Sequence, residues 1–272
     1  MDGSIGVLLL LPLAFASEFI DSSLGMGYGT TLTPLLLMLG FNPLTVVPAI
    51  LASELVTGGL AAWMHHREGN VVFDFRNDRN HRLVKKMKHL GYIPRSNASR
   101  IAMVLAGCSL GGAVAAVFVA VNVPKFYLKL FIGAIVLAMG FLILVRRKAP
   151  ARFSWKKIIG LGIMAAFNKG LSGGGYGPLV TSGQILSGVD TKNSVAITSL
   201  SESFTCLVGV CSFLLLGNSF DWNLTFVLMA GAVASVPFST RLVRRLKVRS
   251  FTLAVGFATM ILGLLTLYKT LF

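Results

Sequence analysis

Ser172-Gly173-Gly174-Gly175-Tyr176-Gly177, with its earlier echo Leu24-Gly25-Met26-Gly27-Tyr28-Gly29, decides how the rest of the chain reads. The two stretches lie 148 residues apart inside apolar sequence, and each has a charged residue just upstream, Asp21 before the first and Lys169 before the second. Glycine costs roughly 0.8–1 kcal/mol against alanine inside a helix, so this density predicts a broken helix. The segment that restarts after a break carries unpaired N–H groups in its first turn, and these attract anions.

The sequence around the breaks is that of a polytopic membrane protein. Hydrophobic residues make up 54% of the 272 and charged residues 13%, with a mean hydropathy of +0.76. A crossing helix needs about 20 apolar residues. Ser4–Ile20, Val46–Trp63, Ile101–Val121, Phe126–Val145, Ser194–Leu216, Leu224–Phe238 and Phe251–Leu271 come close to that. Ile158–Phe167 is shorter and is expected to join Trp155-Lys156-Lys157 at an interface. Thr30–Leu39 and Pro178–Leu186 are about half the required length and read as half-helices or re-entrant pieces.

The net charge of +15 would suggest nucleic acid in a soluble domain. Its distribution argues otherwise, because 20 of the 25 Lys/Arg fall in three stretches between spans: 9 in His65–Arg100, 6 in Arg146–Lys157 and 5 in Arg241–Arg249. This is the positive-inside pattern, which places all three in the cytoplasm and leaves no reason to invoke nucleic acid. Met1-Asp2-Gly3 lacks the basic start of a signal peptide, so the first helix is expected to be retained and both termini to lie outside. Cys108, Cys206 and Cys211 sit in apolar runs without metal-type spacing and read as packing residues.

Shifted by 148 residues, the chain matches itself without a gap. Gly25, Gly27, Tyr28, Gly29, Thr33, Gly40, Val47, Ser53, Glu54, Thr57, Gly69 and Asn70 meet the same residue types in the second half. An extra polar segment, Phe75–Ala98, then intervenes, and the register resumes at 124, where Gly107 meets Gly231. Gly40 and Gly188 suit helix ends, while Asn42-Pro43 and Asp190 suit the caps of the helices that follow. The expected fold is therefore all-α, with two five-segment repeats, 1–148 and 149–272. An odd number of segments inverts the second copy relative to the first. The basic loops 65–100 and 241–249 have nearly uncharged repeat partners, Gly217–Asn223 and Asn122–Lys125, which agrees with inversion. Inverted repeats with broken helices point to a secondary transporter with a site near the bilayer midplane.

These motifs resemble those of the sulfite exporter TauE/SafE-like permeases, also called the toluene sulfonate uptake permease family. The likeness lies in Gly25-Met26-Gly27-Tyr28-Gly29 and Gly173-Gly174-Gly175-Tyr176-Gly177, each followed by an apolar half-helix. It extends through Gly40-Phe41-Asn42-Pro43, Glu54, Trp63 and His65-His66-Arg67-Glu68-Gly69-Asn70. The resemblance covers nearly the whole length and implies transport of small sulfur-containing or organic anions, sulfite and sulfonates among them, across a prokaryotic plasma membrane. Met26 stands where the motif commonly has glycine, and the basic loop Phe75–Ala98 is longer than expected.

Lys169 is the foremost candidate, since a lysine at the bilayer centre costs about 2.5–3.5 kcal/mol and needs a cavity or a partner. It could balance an anion held by the N–H groups of Gly174, Gly175, Tyr176 and Gly177 with the Ser172 hydroxyl, or form a permanent ion pair with Asp21 or Glu18. Gly27, Tyr28, Gly29, Thr30 and Thr31 form the matching set in the first half, with Thr33 close by. The tyrosines could gate the cavity or pack on glycine, and the threonines could touch substrate or cap locally. Glu54, Glu202 and Asp21 are candidates for proton coupling, with a protonated hydrogen bond between helices as the alternative for the glutamates. His65-His66 with Glu68 reads as a solvated membrane edge, because adjacent histidines face different sides of a helix. No catalytic nucleophile or phosphate-binding loop is present, so neither an enzyme nor a cofactor is expected. The partners expected are a small anion and the lipid bilayer, with association between copies left open. An anion channel, and after it an intramembrane enzyme, stand as alternatives.

Overall fold

The computed structural model describes residues 10–77, 92–94, 96–145, 153–218, 220–243 and 248–271. Among these residues the chain forms ten helices: α1 (Leu10–Leu24), α2 (Tyr28–Met38), α3 (Pro43–Arg67), α4 (Asn97–Asn122), α5 (Lys125–Val145), α6 (Trp155–Ser172), α7 (Tyr176–Leu186), α8 (Thr191–Leu215), α9 (Trp222–Leu242) and α10 (Val248–Leu271). The only sheet among the described residues is a short ribbon, β1 (Phe75–Asn77) antiparallel to β2 (Tyr92–Pro94), at the base of the expected basic loop. Most of that loop, and residues 146–152 and 244–247 of the other two basic stretches, lie outside the described residues.

Local chemistry explains the boundaries. The Asn42 side chain accepts from Leu44 N at 3.1 Å with Pro43 in the first turn of α3, and Asp190 accepts from Lys192 N at 3.0 Å to start α8. Ser96 and Asp221 cap α4 and α9 in the same way, accepting from Ser99 N and Leu224 N at 3.0 Å. Two helices run further than their apolar stretches suggest. α1 continues through Asp21 and Ser22-Ser23, and α6 continues through Asn168-Lys169 to Ser172. Ile158–Phe167 is thus the middle of an 18-residue helix that includes its basic flank Trp155-Lys156-Lys157 and runs on to Lys169 and Ser172, which are buried against other helices and find partners there.

Four of the helices, α3, α4, α8 and α9, are long and apolar enough to cross a membrane. α3 and α8 form the centre and run antiparallel. Ser203 Oγ donates to Leu55 O at 2.7 Å, Gly58 lies on Ser199, and Leu51 lies on Gly209. α5 and α10 also pack antiparallel, with Gly133 on Leu267, Leu137 on Gly263 and Gly140 on Met260. α1 lies parallel to α9 through Leu11–Gly231 and Phe15–Phe238, and α4 lies parallel to α6 through Cys108–Ile159 and Gly112–Ile163. The short helices α2 and α7 start together at the centre of the bundle and lead away from it.

Candidate functional site

The two glycine-rich breaks cross back to back. A Cβ on Gly29 would overlap the Gly173 carbonyl oxygen, and one on Gly174 would lie 2.7 Å from Gly29 C. Thr181 Oγ1 donates to Gly25 O at 2.7 Å, and Thr33 Oγ1 faces Gly173 from the other half. Glycine is needed here mainly because two backbones meet in contact. Around this crossing Tyr28, Tyr176 and Lys169 are the largest fully buried side chains of the described residues.

Lys169 sits between two carboxylates, pairing with Glu54 Oε2 and with Glu202 Oε1, the latter at 2.8 Å. The alternative of a permanent ion pair with Asp21 or Glu18 is thereby corrected, since Glu54 and Glu202 hold the ammonium. The two glutamates face the lysine from α3 and α8, where the alternative reading has each in a protonated hydrogen bond between helices. Asp21 instead accepts from Tyr28 N at 3.3 Å, so its carboxylate caps the first turn of α2. Oxygens of Asp21, Glu54 and Glu202 nevertheless lie within 4.8 Å of one another. One cation and three acids therefore share one buried site, and Glu54 Oε1 has no hydrogen-bond partner among the described residues.

Glu18 belongs to the next layer, accepting from Ser22 Oγ at 2.5 Å and Thr57 Oγ1 at 3.1 Å. Sequence reasoning weighed it only as a counter-ion. Its position one turn before Asp21 on α1 was the available signal that it would face the same interior.

Most of the other candidates are satisfied locally, whereas the Tyr176 hydroxyl and Thr33 Oγ1 are buried with no hydrogen-bond partner among the described residues. Thr30 Oγ1 and Thr31 Oγ1 donate to Gly27 O at 3.1 and 2.6 Å. Ser172 Oγ donates to Asn168 O at 2.8 Å and accepts from Gly174 N at 3.1 Å, which stabilises the second break. The Tyr28 hydroxyl lies 2.8 Å from Ser53 Oγ, and Tyr176 stands beside Ser201 and Thr205 at the matching place. Gly175 enters α7 in the left-handed conformation at φ 78°, and Gly177 packs on Gly25 and Met26. His65 departs from expectation. It is fully buried, with Nε2 2.9 Å from Ser22 O and Nδ1 3.0 Å from Asn70 Nδ2, because the last turn of α3 packs on the end of α1. His66 remains exposed, as expected for a membrane edge.

A central crossing of two half-helices with a buried lysine between acids is an arrangement suited to moving a charged solute. The family model for "Sulfite exporter TauE/SafE" matches residues 10–76 and 89–266. The chain belongs to this family. It is also 28% identical over 257 residues to "Probable membrane transporter protein YtnM" of Bacillus subtilis (strain 168), an alignment covering 90% of this chain and 77% of that protein. No solved structure matches the chain. This TauE/SafE family member is a membrane-embedded transporter.

Proposed function

We propose that the protein is a secondary permease that carries a small sulfur-containing or organic anion, of the sulfite and sulfonate class, by alternating access of two inverted five-helix repeats, 1–148 and 149–272. The family description and the transporter relative support the class of solute. The repeat is supported by the backbone, since Gly25, Gly40 and Gly69 have φ of 67°, 97° and 73° and their partners Gly173, Gly188 and Gly217 have 71°, 84° and 72°. Inversion is supported by the antiparallel course of α3 against α8 and of α5 against α10, each pair being repeat mates. The contacts Gly140–Met260 and Leu137–Gly263 are mates at an offset of 123, as are Cys108–Ile159 and Gly231–Leu11. The later segments therefore align one residue closer than the sequence comparison places them.

The single observation that carries the mechanism is the placement of Lys169 between Glu54 and Glu202 at the N-terminal ends of α2 and α7. Asp21 already occupies the amide end of α2, whereas a lysine at the matching place gives the Tyr176 N–H no acceptor. An anion entering here gains the α7 amides and the ammonium together. With both glutamates ionised the single ammonium is outweighed by one negative charge, and by two once Asp21 is counted. Each proton taken up by Glu54 or Glu202 removes one of those negative charges, so solute binding and protonation favour each other, and the reading is proton-coupled movement of the anion. Lys169 and the carboxylates stay buried while the halves rock about the α3–α8 contact.

Orientation follows from the charge pattern, with both termini outside and the stretches 65–100, 146–157 and 241–249 in the cytoplasm. The test is uptake of radiolabelled sulfite into liposomes holding the purified protein, with taurine and sulfoacetate as competitors, with and without a pH gradient. Saturable uptake that rises when the gradient drives protons with the anion supports the proposal. Uptake indifferent to the gradient removes the coupling, and no uptake of any of these by folded protein removes the solute class.

A further inference from the structure

The structure points to a second anion-binding site, a vestibule formed by Lys125, Lys129 and Lys269 at the end of the bundle opposite the basic loops. Only five of the 25 Lys/Arg lie outside the three basic stretches: Lys125, Lys129, Lys169, Lys192 and Lys269. One is the central lysine. Three of the other four line one cavity of about 320 Å³, together with Thr266, Thr270 and the end of α2 at Met38 and Gly40. At about 30 Å³ per water, that volume holds a small oxyanion with part of its hydration shell. Among the described residues no carboxylate lines the cavity, and none is within ion-pair distance of these lysines.

Two features argue against a purely structural reason for the charges. Lys125 and Lys129 lie in the first two turns of α5, where a cation opposes the helix dipole. They also lie on the face that the positive-inside rule leaves poor in lysine and arginine. α3 leads from this end to the basic end and α4 leads back, so the cavity and the basic loops are on opposite faces. The third lysine ties the vestibule to the transport path, because Lys269 Nζ donates to Met38 O at 2.5 Å and α2 begins at the central site. Converging positive charge of this kind raises the local concentration of an anion and its rate of capture, most strongly at low ionic strength. The ligand is an oxyanion, either a soluble one passing to the centre or the phosphate of a lipid headgroup. Its role as the entry to the transport path rests on the anion-permease reading, while binding itself does not.

Binding is tested without transport, by amine acylation of the full chain in phosphatidylcholine nanodiscs, quantified by mass spectrometry with and without inorganic sulfate at constant low ionic strength. Sulfate should reduce labelling of Lys125, Lys129 and Lys269 by about threefold or more and leave exposed Lys192 unchanged, as expected for a convergent site and not for general screening. Labelling changed neither by sulfate nor by the anionic lipid of the parallel arm overturns the site. A parallel arm replaces sulfate with phosphatidylglycerol in the disc. Protection by that lipid combined with none by sulfate assigns the cavity to lipid headgroups and overturns the entry role. In liposomes of neutral lipid, K125Q/K129Q/K269Q should lower kcat/KM for sulfite by about tenfold at low salt with kcat unchanged, and the difference should close in high salt. An unchanged kcat/KM at low salt overturns the entry role, and if the unmodified protein carries no anion at all, the labelling result still decides whether the site binds one.

Discussion

Replacing Lys169 by alanine tests both the packing and the mechanism. The substitution leaves Glu54, Glu202 and Asp21 facing one another with oxygens within 4.8 Å and no cation among them. At that separation and an effective dielectric of about 20, each ionised pair repels by about 3 kcal/mol. Removing one member of a buried pair costs about 3–5 kcal/mol in general. Against a total stability of about 5–15 kcal/mol, Lys169→Ala should yield little folded protein. Neutralising the two partners should reverse most of the loss, so K169A/E54Q/E202Q is expected to fold and to transport nothing. The assay is the unfolding midpoint in detergent, followed by tryptophan fluorescence alongside size-exclusion chromatography, with sulfite uptake on every variant that elutes as a single species. Lys169→Ala within about 0.5 kcal/mol of the parent, the range of an ordinary surface substitution, would refute the claim that the ion pairs hold the centre together. Gradient-driven uptake by the triple variant would refute the role of the charges in transport.

Further outcomes follow from the same geometry. Gly29→Ala should abolish folded protein on size-exclusion chromatography, because its Cβ overlaps the Gly173 carbonyl with backbone on both sides and no flexible group to yield. Glu54→Gln keeps the shape of the side chain but cannot carry the proton. Because Glu202 holds the same lysine, sulfite uptake should lose its dependence on the pH gradient only in E54Q/E202Q, while sulfite binding, measured by calorimetry, persists. Tyr28→Phe loses the 2.8 Å contact with Ser53 and should lower stability by about 0.5–1.5 kcal/mol in the detergent melt, with uptake retained. His65→Ala strands the Ser22 carbonyl and the Asn70 amide in the interior. It should cost about 1–3 kcal/mol in the same melt, again with little effect on the KM for sulfite.

The sequence carried the element plan well because its signals are local. The glycines at 40 and 188 and the caps at Asn42 and Asp190 act within one helical turn, and each appears where the pattern puts it. The site was legible as a set of residues and less so as a set of pairings. Asp21 and Lys169 are repeat mates and so are Glu54 and Glu202, which implies that all four approach a common axis. Which of them touch depends on the crossing of α3, α6 and α8, and that is a tertiary quantity. The glycine motifs had two physical readings, exposed amides for an anion or backbone-to-backbone contact. Composition cannot separate them, and the crossing of Gly29 with Gly173 adds the second to the first. The one-residue difference between the later register read from sequence and the one the contacts favour has a similar origin. α4 and α9 are rich in alanine, glycine and valine, so neighbouring registers score alike and only the contacts distinguish them.

A strict two-fold copy would place like charges side by side at positions 21 and 169, and the chain departs from symmetry there. The acid caps one half-helix from within, while on the proposed reading the lysine leaves the other half-helix to a ligand and supplies the countercharge. The two acids that hold this lysine are related by the repeat, one from each half, and they stand beside Leu55 and Ser203, where α3 and α8 cross. If the halves tilt as proposed, a cation near that crossing keeps similar surroundings whichever half is tilted, so an anion beside it need not be released when access switches from one side to the other. A proton on either glutamate loosens the lysine from one half and leaves it bound to the other. On the proposed reading, unequal charge at positions 21 and 169 provides binding, equal charge at 54 and 202 provides two equivalent holds for the lysine, and coupling arises because solute and carboxylates compete for a single ammonium.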